Sequence, residues 1–91
     1  MKNKNFYYTK TLKSHSKMYG WNKYILKVYQ IKHNKLEFVG ETTQCTASTC
    51  GDIGECWQVL QSNKIAPKSV DVFEKMHTYM RNNNINIREI Y

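Results

Sequence analysis

The stretch of residues 21–33 constrains the fold of this chain more than any other, because apolar side chains recur there at every second position. Successive side chains of a strand point to opposite sides of the sheet, so Tyr24, Leu26 and Val28 would share one face. A strand with apolar residues on both faces is typical of the middle of a sheet. We therefore predict a central strand over this stretch. Its second face would carry Lys23, Ile25, Lys27, Tyr29 and Ile31.

Two further strands are predicted around the central one. Residues 5–13 alternate in the same way and are rich in the aromatic residues and threonine that favour strands. Residues 36–43 follow the central strand after Asn34 and Lys35, and asparagine tolerates positive φ, so this pair predicts a tight hairpin turn. Residues 14–20 are polar and are predicted to form a flexible basic loop.

Helical patterns occupy the second half of the chain. Asp52 and Glu55 have the spacing of a capping box, which predicts a helix that ends near Asn63. A second helix is predicted after Pro67, with Ser69 as its cap. The predicted inner residues are Ile53, Cys56, Trp57 and Leu60 in the first helix and Val70, Phe73, Met76, His77 and Met80 in the second.

The last segment, residues 85–91, favours a strand that returns to an edge of the sheet. Residues 82–84 are three consecutive asparagines and are predicted to end the second helix. The predicted order is β-β-β-α-α-β. We expect one small α+β domain over residues 1–91, in which an antiparallel sheet of three to four strands packs against two helices.

The charge of the chain is distributed unevenly. The formal net charge is +7, yet residues 1–35 contain nine lysines and no acidic residue, whereas residues 36–91 contain five basic and seven acidic residues. Clustered like charge repels itself in a folded protein, and a polyanion would offset that cost. This basic N-terminal β region also holds seven of the twelve aromatic residues. The alternatives are a solvated lysine-rich surface and aromatic residues that simply form the core.

Lysines interleaved with aromatic residues suit phosphate contact combined with base stacking, so we predict a nucleic acid or a nucleoprotein complex as the partner. Antiparallel pairing of the first two strands would gather these side chains within about 20–30 Å. Lysine binds phosphate as a point charge, whereas arginine reads guanine edges, so modest sequence preference is expected. The predicted nucleic-acid-binding residues are Lys10, Lys13, Lys17, Trp21, Lys23, Lys27, Lys32, His33 and Lys35.

Sequence patterns of enzymes are missing. The chain has no glycine-rich phosphate loop, no dinucleotide fingerprint and no Gly-x-Ser-x-Gly nucleophile pattern, and its acidic residues do not pair into a general acid and base. We therefore predict a protein that is not an enzyme and has no cofactor.

Three cysteines are present, Cys45, Cys50 and Cys56, and an odd number without an export signal indicates reduced thiols. Together with His77 they offer four zinc ligands, but their spacing is wider than in the usual zinc knuckle and Cys56 falls on a predicted core stripe, so no metal site is predicted. Cys50 precedes a predicted helix, whose dipole would favour its thiolate, which leaves a nucleophilic role open.

Neither a secretory signal nor an apolar run of membrane-spanning length occurs, so the expected location is cytoplasmic, with no membrane partner. The composition leans on Lys, Asn and Ile, which is typical of AT-rich phage and bacterial genomes. Three functions fit these features. They are a nucleic-acid-binding accessory protein of a phage or mobile element, a non-enzymatic anti-defence inhibitor of the anti-CRISPR type that binds a bacterial nuclease or nucleoprotein complex, and a small virion or assembly protein.

Overall fold

The computed structural model of the chain describes residues 4–45, 51–70 and 72–90, except for the side chain of Phe73, a predicted inner residue. The order of elements is the predicted β-β-β-α-α-β, and the small α+β fold is confirmed. The elements are β1 (Lys4–Ser16), β2 (Trp21–Lys32), β3 (Lys35–Cys45), α1 (Gly51–Ser62), α2 (Phe73–Asn82) and β4 (Ile85–Glu89). Neither helix has the length and the apolar character needed to cross a membrane.

One sheet contains all four strands, in the order β3-β2-β1-β4. β2 pairs antiparallel with both β1 and β3, so the predicted central strand is confirmed. β4 lies parallel to β1, which makes the sheet mixed rather than purely antiparallel. A parallel neighbour needs a long crossover, and the part of the chain that contains both helices supplies it.

The turn between β2 and β3 falls one residue earlier than predicted. Lys32 pairs with Lys35, and the two residues between them, His33 and Asn34, have φ of 52° and 63°. Positive φ at both central positions is the conformation of a type I′ turn, whose twist matches that of the strands. Asn34 therefore occupies a turn position with positive φ, as predicted, although it is the second residue of the turn and not the first.

β1 is longer than predicted, because residues 14–16 pair with residues 21–23. The register shifts at Lys13, where a bulge breaks the alternation of side chains. The alternation and the strand-favouring residues that predicted β1 both stop at this bulge, because residues 14–17 are polar. The predicted loop over residues 14–20 is therefore wrong for its first half and shrinks to a turn over residues 17–20.

Both helices pack on one face of the sheet. Leu26 and Val28 are fully buried there, as the alternation of β2 predicts, and burying each such side chain contributes about 1.5–3 kcal/mol. The predicted stripe of α1 is also confirmed, since three of its residues are buried and Ile53 packs against them. The core consists of Phe6, Tyr8, Leu26, Val28, Cys56, Trp57, Val59, Leu60, Ala66, Met76 and Ile87.

The predicted capping box at the start of α1 is wrong. Asp52 is the second residue of the helix, and its carboxylate accepts hydrogen bonds from Tyr8 and Lys10 on β1. The Asp52 side chain therefore binds residues of β1 instead of capping the helix. The consequence is a polar link between the first turn of α1 and the sheet.

The predicted start of α2 is wrong as well. Ser69 lies before the helix, and the N-cap is Val72, which makes no side-chain cap hydrogen bond. The inner face also differs, since His77 is exposed and Tyr79 packs edge to face against Trp57 with ring centroids 5.8 Å apart. The asparagines end the helix as predicted, and Asn84 has a positive φ of 55°.

Candidate nucleic-acid interface

The face of the sheet that points away from the helices is named the outer face here. Its side chains alternate with the buried ones, so each strand contributes every second residue, apart from the bulges in β1 and β3. Large apolar side chains are exposed on it, which is unusual for a surface without a partner. The outer face comprises Asn5, Tyr7, Thr9, Thr11, Ser14, Ser16, Trp21, Lys23, Ile25, Lys27, Tyr29, Ile31, Leu36, Phe38, Glu41, Thr43, Cys45, Asn86 and Arg88.

Three aromatic side chains form a row across the outer face. Tyr7 pairs with Tyr29, and Tyr29 pairs with Phe38, with the last two ring centroids 5.7 Å apart. Arg88 continues the row on β4, beside Tyr7. Neighbouring strands lie about 4.8 Å apart, so the three rings span about 10 Å and the row with Arg88 about 14 Å. Phe38 is 56% exposed, so one end of the row is open to a partner.

Cations lie on one side of the aromatic row and at its β4 end. Lys27 stands between Thr9 and Glu41 in the adjacent row of the sheet, and it is exposed. Lys23 lies further along β2, and Arg88 is the end of the row itself. Glu41 offsets part of the charge of Lys27, but it is the only acidic side chain among the residues assigned to this face. The face therefore combines positive charge with ring surfaces.

The structure divides the nine predicted binding residues among four places. β2 is 12 residues long, or about 40 Å at the usual rise, so the two hairpins that end it lie far apart. The predicted convergence within about 20–30 Å is therefore not found. Trp21, Lys23 and Lys27 lie on the outer face; Lys13 and Lys17 lie at the β1–β2 hairpin; Lys32, His33 and Lys35 lie at the β2–β3 hairpin; Lys10 lies on the face that packs against the helices.

Lys10 is a predicted binding residue that does not lie on the outer face. Its ammonium group lies 3.2 Å from Asp52 Oδ1 and 4.6 Å from the ring centroid of Tyr24. Both partners are on the helix side of the sheet. A partly exposed ion pair contributes about 0–1 kcal/mol, and a cation–π contact adds about 0.5–1 kcal/mol. Lys10 therefore stabilises the junction between β1 and α1.

Four residues of the interface were not among the nucleic-acid-binding residues predicted from the sequence. Tyr7 and Tyr29 belong to the basic region, and alternation with buried neighbours was the signal that would have placed them on the outer face. Phe38 had the same signal, obscured by the bulge in β3. Arg88 had none, because it reaches Tyr7 only through the parallel pairing of β4 with β1.

The cysteines do not form a shared site within the described residues. Cys45 is exposed on the outer face, whereas Cys56 is buried beneath the opposite face, so the sheet separates them. Burial raises the pKa of the Cys56 thiol to about 12, with Asp52 adding to the effect, so this thiol stays protonated at neutral pH. Among the described residues, no three His, Cys, Asp or Glu side chains lie together. Cys50, the possible nucleophile, lies outside them, as does Lys2.

A cleft of about 460 Å³ lies along α2, away from the outer face. It is open and mixed in character, with one acidic and one basic side chain, Glu74 and Lys75, both exposed. The other lining residues are Val70, Thr78, Tyr79, Asn82 and Asn83.

Comparison of the chain with protein families, with curated proteins and with solved structures found no significant match.

Proposed function

We propose that this protein binds nucleic acid through its outer face, as a non-enzymatic cytoplasmic protein encoded by a phage or mobile element. The observation that carries the proposal is the aromatic row of Tyr7, Tyr29 and Phe38 with Arg88 at its end and Lys27 beside it. Base stacking requires exposed ring surface. Contact with the phosphates of the stacked nucleotides requires cations next to that surface. The outer face offers both.

The overall charge supports the same partner. Residues 1–36 contain no acidic side chain, so β1 and β2 bring only positive charge to the sheet. Such a surface attracts a polyanion from solution and contacts its backbone whatever the sequence. The interface has one arginine, and bidentate reading of bases depends on arginine more than on lysine, so discrimination between sequences should be weak.

The proposal is tested by charge reversal on two matched surfaces. Lys23→Glu/Lys27→Glu changes the outer face, and Lys68→Glu/Lys75→Glu makes the same change in net charge on exposed residues of the helix side. Binding of labelled 20-nucleotide DNA, single-stranded and duplex, is measured by fluorescence anisotropy at low salt. We expect the outer-face variant to lose about 100-fold in affinity and the control a few-fold. Equal losses would mean that net charge alone governs binding and would reject the outer face.

One observation favours a second function, inhibition of a bacterial nuclease by direct protein contact. Ile31, Leu36 and Phe38 are neighbours near the β2–β3 hairpin and are 40%, 51% and 56% exposed. Clustered apolar side chains with a polar rim are typical of the anchors in protein interfaces. If this function holds, Ile31→Ser/Leu36→Ser should abolish capture of a nuclease from host lysate and leave affinity for DNA unchanged. Loss of DNA binding in that variant would count against it.

A further inference from the structure

The β1–β2 hairpin extends beyond the part of the sheet that the helices cover. Buried residues end at Tyr8 in β1 and at Leu26 in β2, and most side chains between these positions are exposed. β3 ends opposite Lys23, so residues 13–22 form a two-stranded ribbon. We name this ribbon the arm. It projects about 15 Å at the usual rise of a strand.

Positive charge is spread along the arm. Lys13 and Lys17 lie on it, Lys23 lies at its base, and no acidic residue is present in it. The two strands are about 4.8 Å apart, and a ribbon of that width enters the major groove of B-form DNA, which is about 12 Å wide. Phosphates line both sides of the major groove. A ribbon that lies in the groove brings the cations along its length close to these phosphates, which cations on a flat surface cannot reach as well.

The tip of the arm presents two apolar side chains to solvent. Met18 is 83% exposed and Tyr19 is 77% exposed. Gly20 has a positive φ of 69° and donates its N–H to the carbonyl oxygen of Ser16 over 2.8 Å. The N–H of Tyr19 donates to Ser16 Oγ over 3.2 Å. These bonds fix the turn, so the two side chains are held outward before any partner arrives.

We infer that the arm inserts into a groove of duplex DNA, with its cations on phosphates and with Met18 and Tyr19 pressed against or between base pairs. Apolar wedges, known from proteins that bind the minor groove, unstack base steps when they insert between them, and the apex of the arm offers the same kind of side chain. This inference rests on the proposed function. It adds that the nucleic acid is duplex DNA and that the arm is a second contact surface beside the outer face. Trp21 and Lys23 join the arm to the outer face, so one duplex can contact both.

Duplex DNA fits the arm better than the other polyanions. The major groove of A-form RNA is too deep and narrow for side chains to read, although its charge is similar. An anionic membrane surface would also accept a basic element with an apolar tip. However, the arm has only two apolar side chains at its apex, Lys17 and Gly20 flank them, and Trp21 is the one further aromatic ring in the arm, so little of it would enter a lipid layer.

The test compares Met18→Ser/Tyr19→Ser with Ile65→Ser, a control that removes an apolar side chain 38% exposed on the helix side. Both variants keep the net charge, and circular dichroism confirms that they fold. The probes are a 20-base-pair DNA duplex that contains 2-aminopurine, an RNA duplex and a DNA single strand of the same length. Wild type should bind the DNA duplex at least about tenfold tighter than the RNA duplex and raise the 2-aminopurine fluorescence. The tip variant should lose about tenfold in affinity together with the fluorescence change, and the control neither.

Three results would overturn the inference. If wild type and the tip variant bind all nucleic acids equally well, the arm is not a contact element, although the proposed function stands. If wild type binds no nucleic acid, the inference and the proposed function both fail. Vesicles of equal parts phosphatidylserine and phosphatidylcholine serve as a fourth probe, and if the tip variant loses binding only to them, the arm contacts membranes instead.

Discussion

Tyr8 donates a hydrogen bond to Asp52 Oδ2 over 3.1 Å, which joins the middle of β1 to the first turn of α1. The other carboxylate oxygen accepts from Lys10 over 3.2 Å. Burial of Tyr8, together with the neighbouring carboxylate, raises the pKa of its phenol well above the usual value of 10.0. The folded protein therefore holds a proton that the unfolded chain releases at alkaline pH.

This proton makes the free energy of unfolding depend on pH. The contribution of Tyr8 is complete below about pH 10 and falls by about 1.4 kcal/mol for each pH unit above it, because only the unfolded chain is then deprotonated. Tyr8→Phe removes the titration and one hydrogen bond, at a cost of about 0.5–1.5 kcal/mol at pH 8. We expect the stability of wild type relative to Tyr8→Phe to fall by more than about 1 kcal/mol between pH 8 and pH 11, so that the variant can become the more stable of the two.

Urea unfolding at the two pH values, in the presence of a reductant, measures this difference. Cys56 titrates in the same range, but it is present in both proteins and cancels. A difference that stays constant from pH 8 to pH 11 would show that the phenol titrates alike in the folded and unfolded states.

The two tryptophans should respond oppositely to truncation. Trp57 is 3% exposed, and its Nε1 donates to the carbonyl oxygen of Val70 over 2.8 Å, which ties α1 to the connector before α2. Trp57→Ala should cost about 3–5 kcal/mol. Trp21 is 39% exposed, so Trp21→Ala should change stability by less than about 1 kcal/mol and weaken DNA binding instead. Thermal unfolding and anisotropy of both variants check the contrast, and comparable destabilisation would place Trp21 in the core.

Gly40 permits the close approach of α1 to β3. A Cβ atom at this position would lie 2.9 Å from Asn63 Nδ2 and 3.1 Å from Val59 Cγ1. Asn63 Nδ2 also donates to the carbonyl oxygen of Val59 over 2.8 Å, so the side chain cannot swing away without losing that bond. Gly40→Ala should therefore destabilise the protein by about 1–3 kcal/mol.

A double variant separates the two contacts of this position. In Gly40→Ala/Asn63→Ala the nearest atom is gone, and the cost of the added methyl group should fall below that in the single variant. Denaturant unfolding of the four proteins in this cycle gives the coupling. Additive effects would mean that Asn63 does not restrict the site.

The elements of the fold were predictable where a periodic pattern was complete. Leu26 and Val28 alternate with polar or outward residues, and Cys56, Trp57 and Leu60 follow helical spacing, so their burial could be predicted from the sequence. Helix starts were not predictable. Asp52 binds Tyr8 and Lys10 across the structure, and no local pattern reveals that competition.

The candidate interface was predictable only in part, because charge in a sequence does not say on which side of a sheet it will lie. Lys10 and Lys27 both belong to alternating stretches of the basic region, yet they lie on opposite faces of the sheet. The bulge at Lys13 and the parallel pairing of β4 with β1 determine on which face the other interface residues lie. Both features depend on pairing between distant segments of the chain. Arg88 entered the interface in this way.

The dependence of binding on salt tests how many cations act together. Five cations on the outer face and the arm can reach one duplex. If each neutralises a phosphate, log affinity falls against log salt with a slope of about −4.5, and affinity drops several hundredfold between about 50 and 200 mM salt. Binding to a single strand should be less sensitive, with a slope of about −3.5. The cations are Lys13, Lys17, Lys23, Lys27 and Arg88.

The variant Lys13→Gln/Lys17→Gln distinguishes the arm from the outer face in the same measurement. Removing two phosphate contacts should reduce the slope with duplex DNA to about −2.7, while Lys32→Gln/Lys35→Gln at the other hairpin should leave it at about −4.5. A protein held by apolar anchors would instead keep its target across this range of salt, because buried contacts and not screened charges set its dissociation rate. A flat response with duplex DNA, combined with salt-resistant capture of a nuclease, would replace nucleic-acid binding by the inhibitor function.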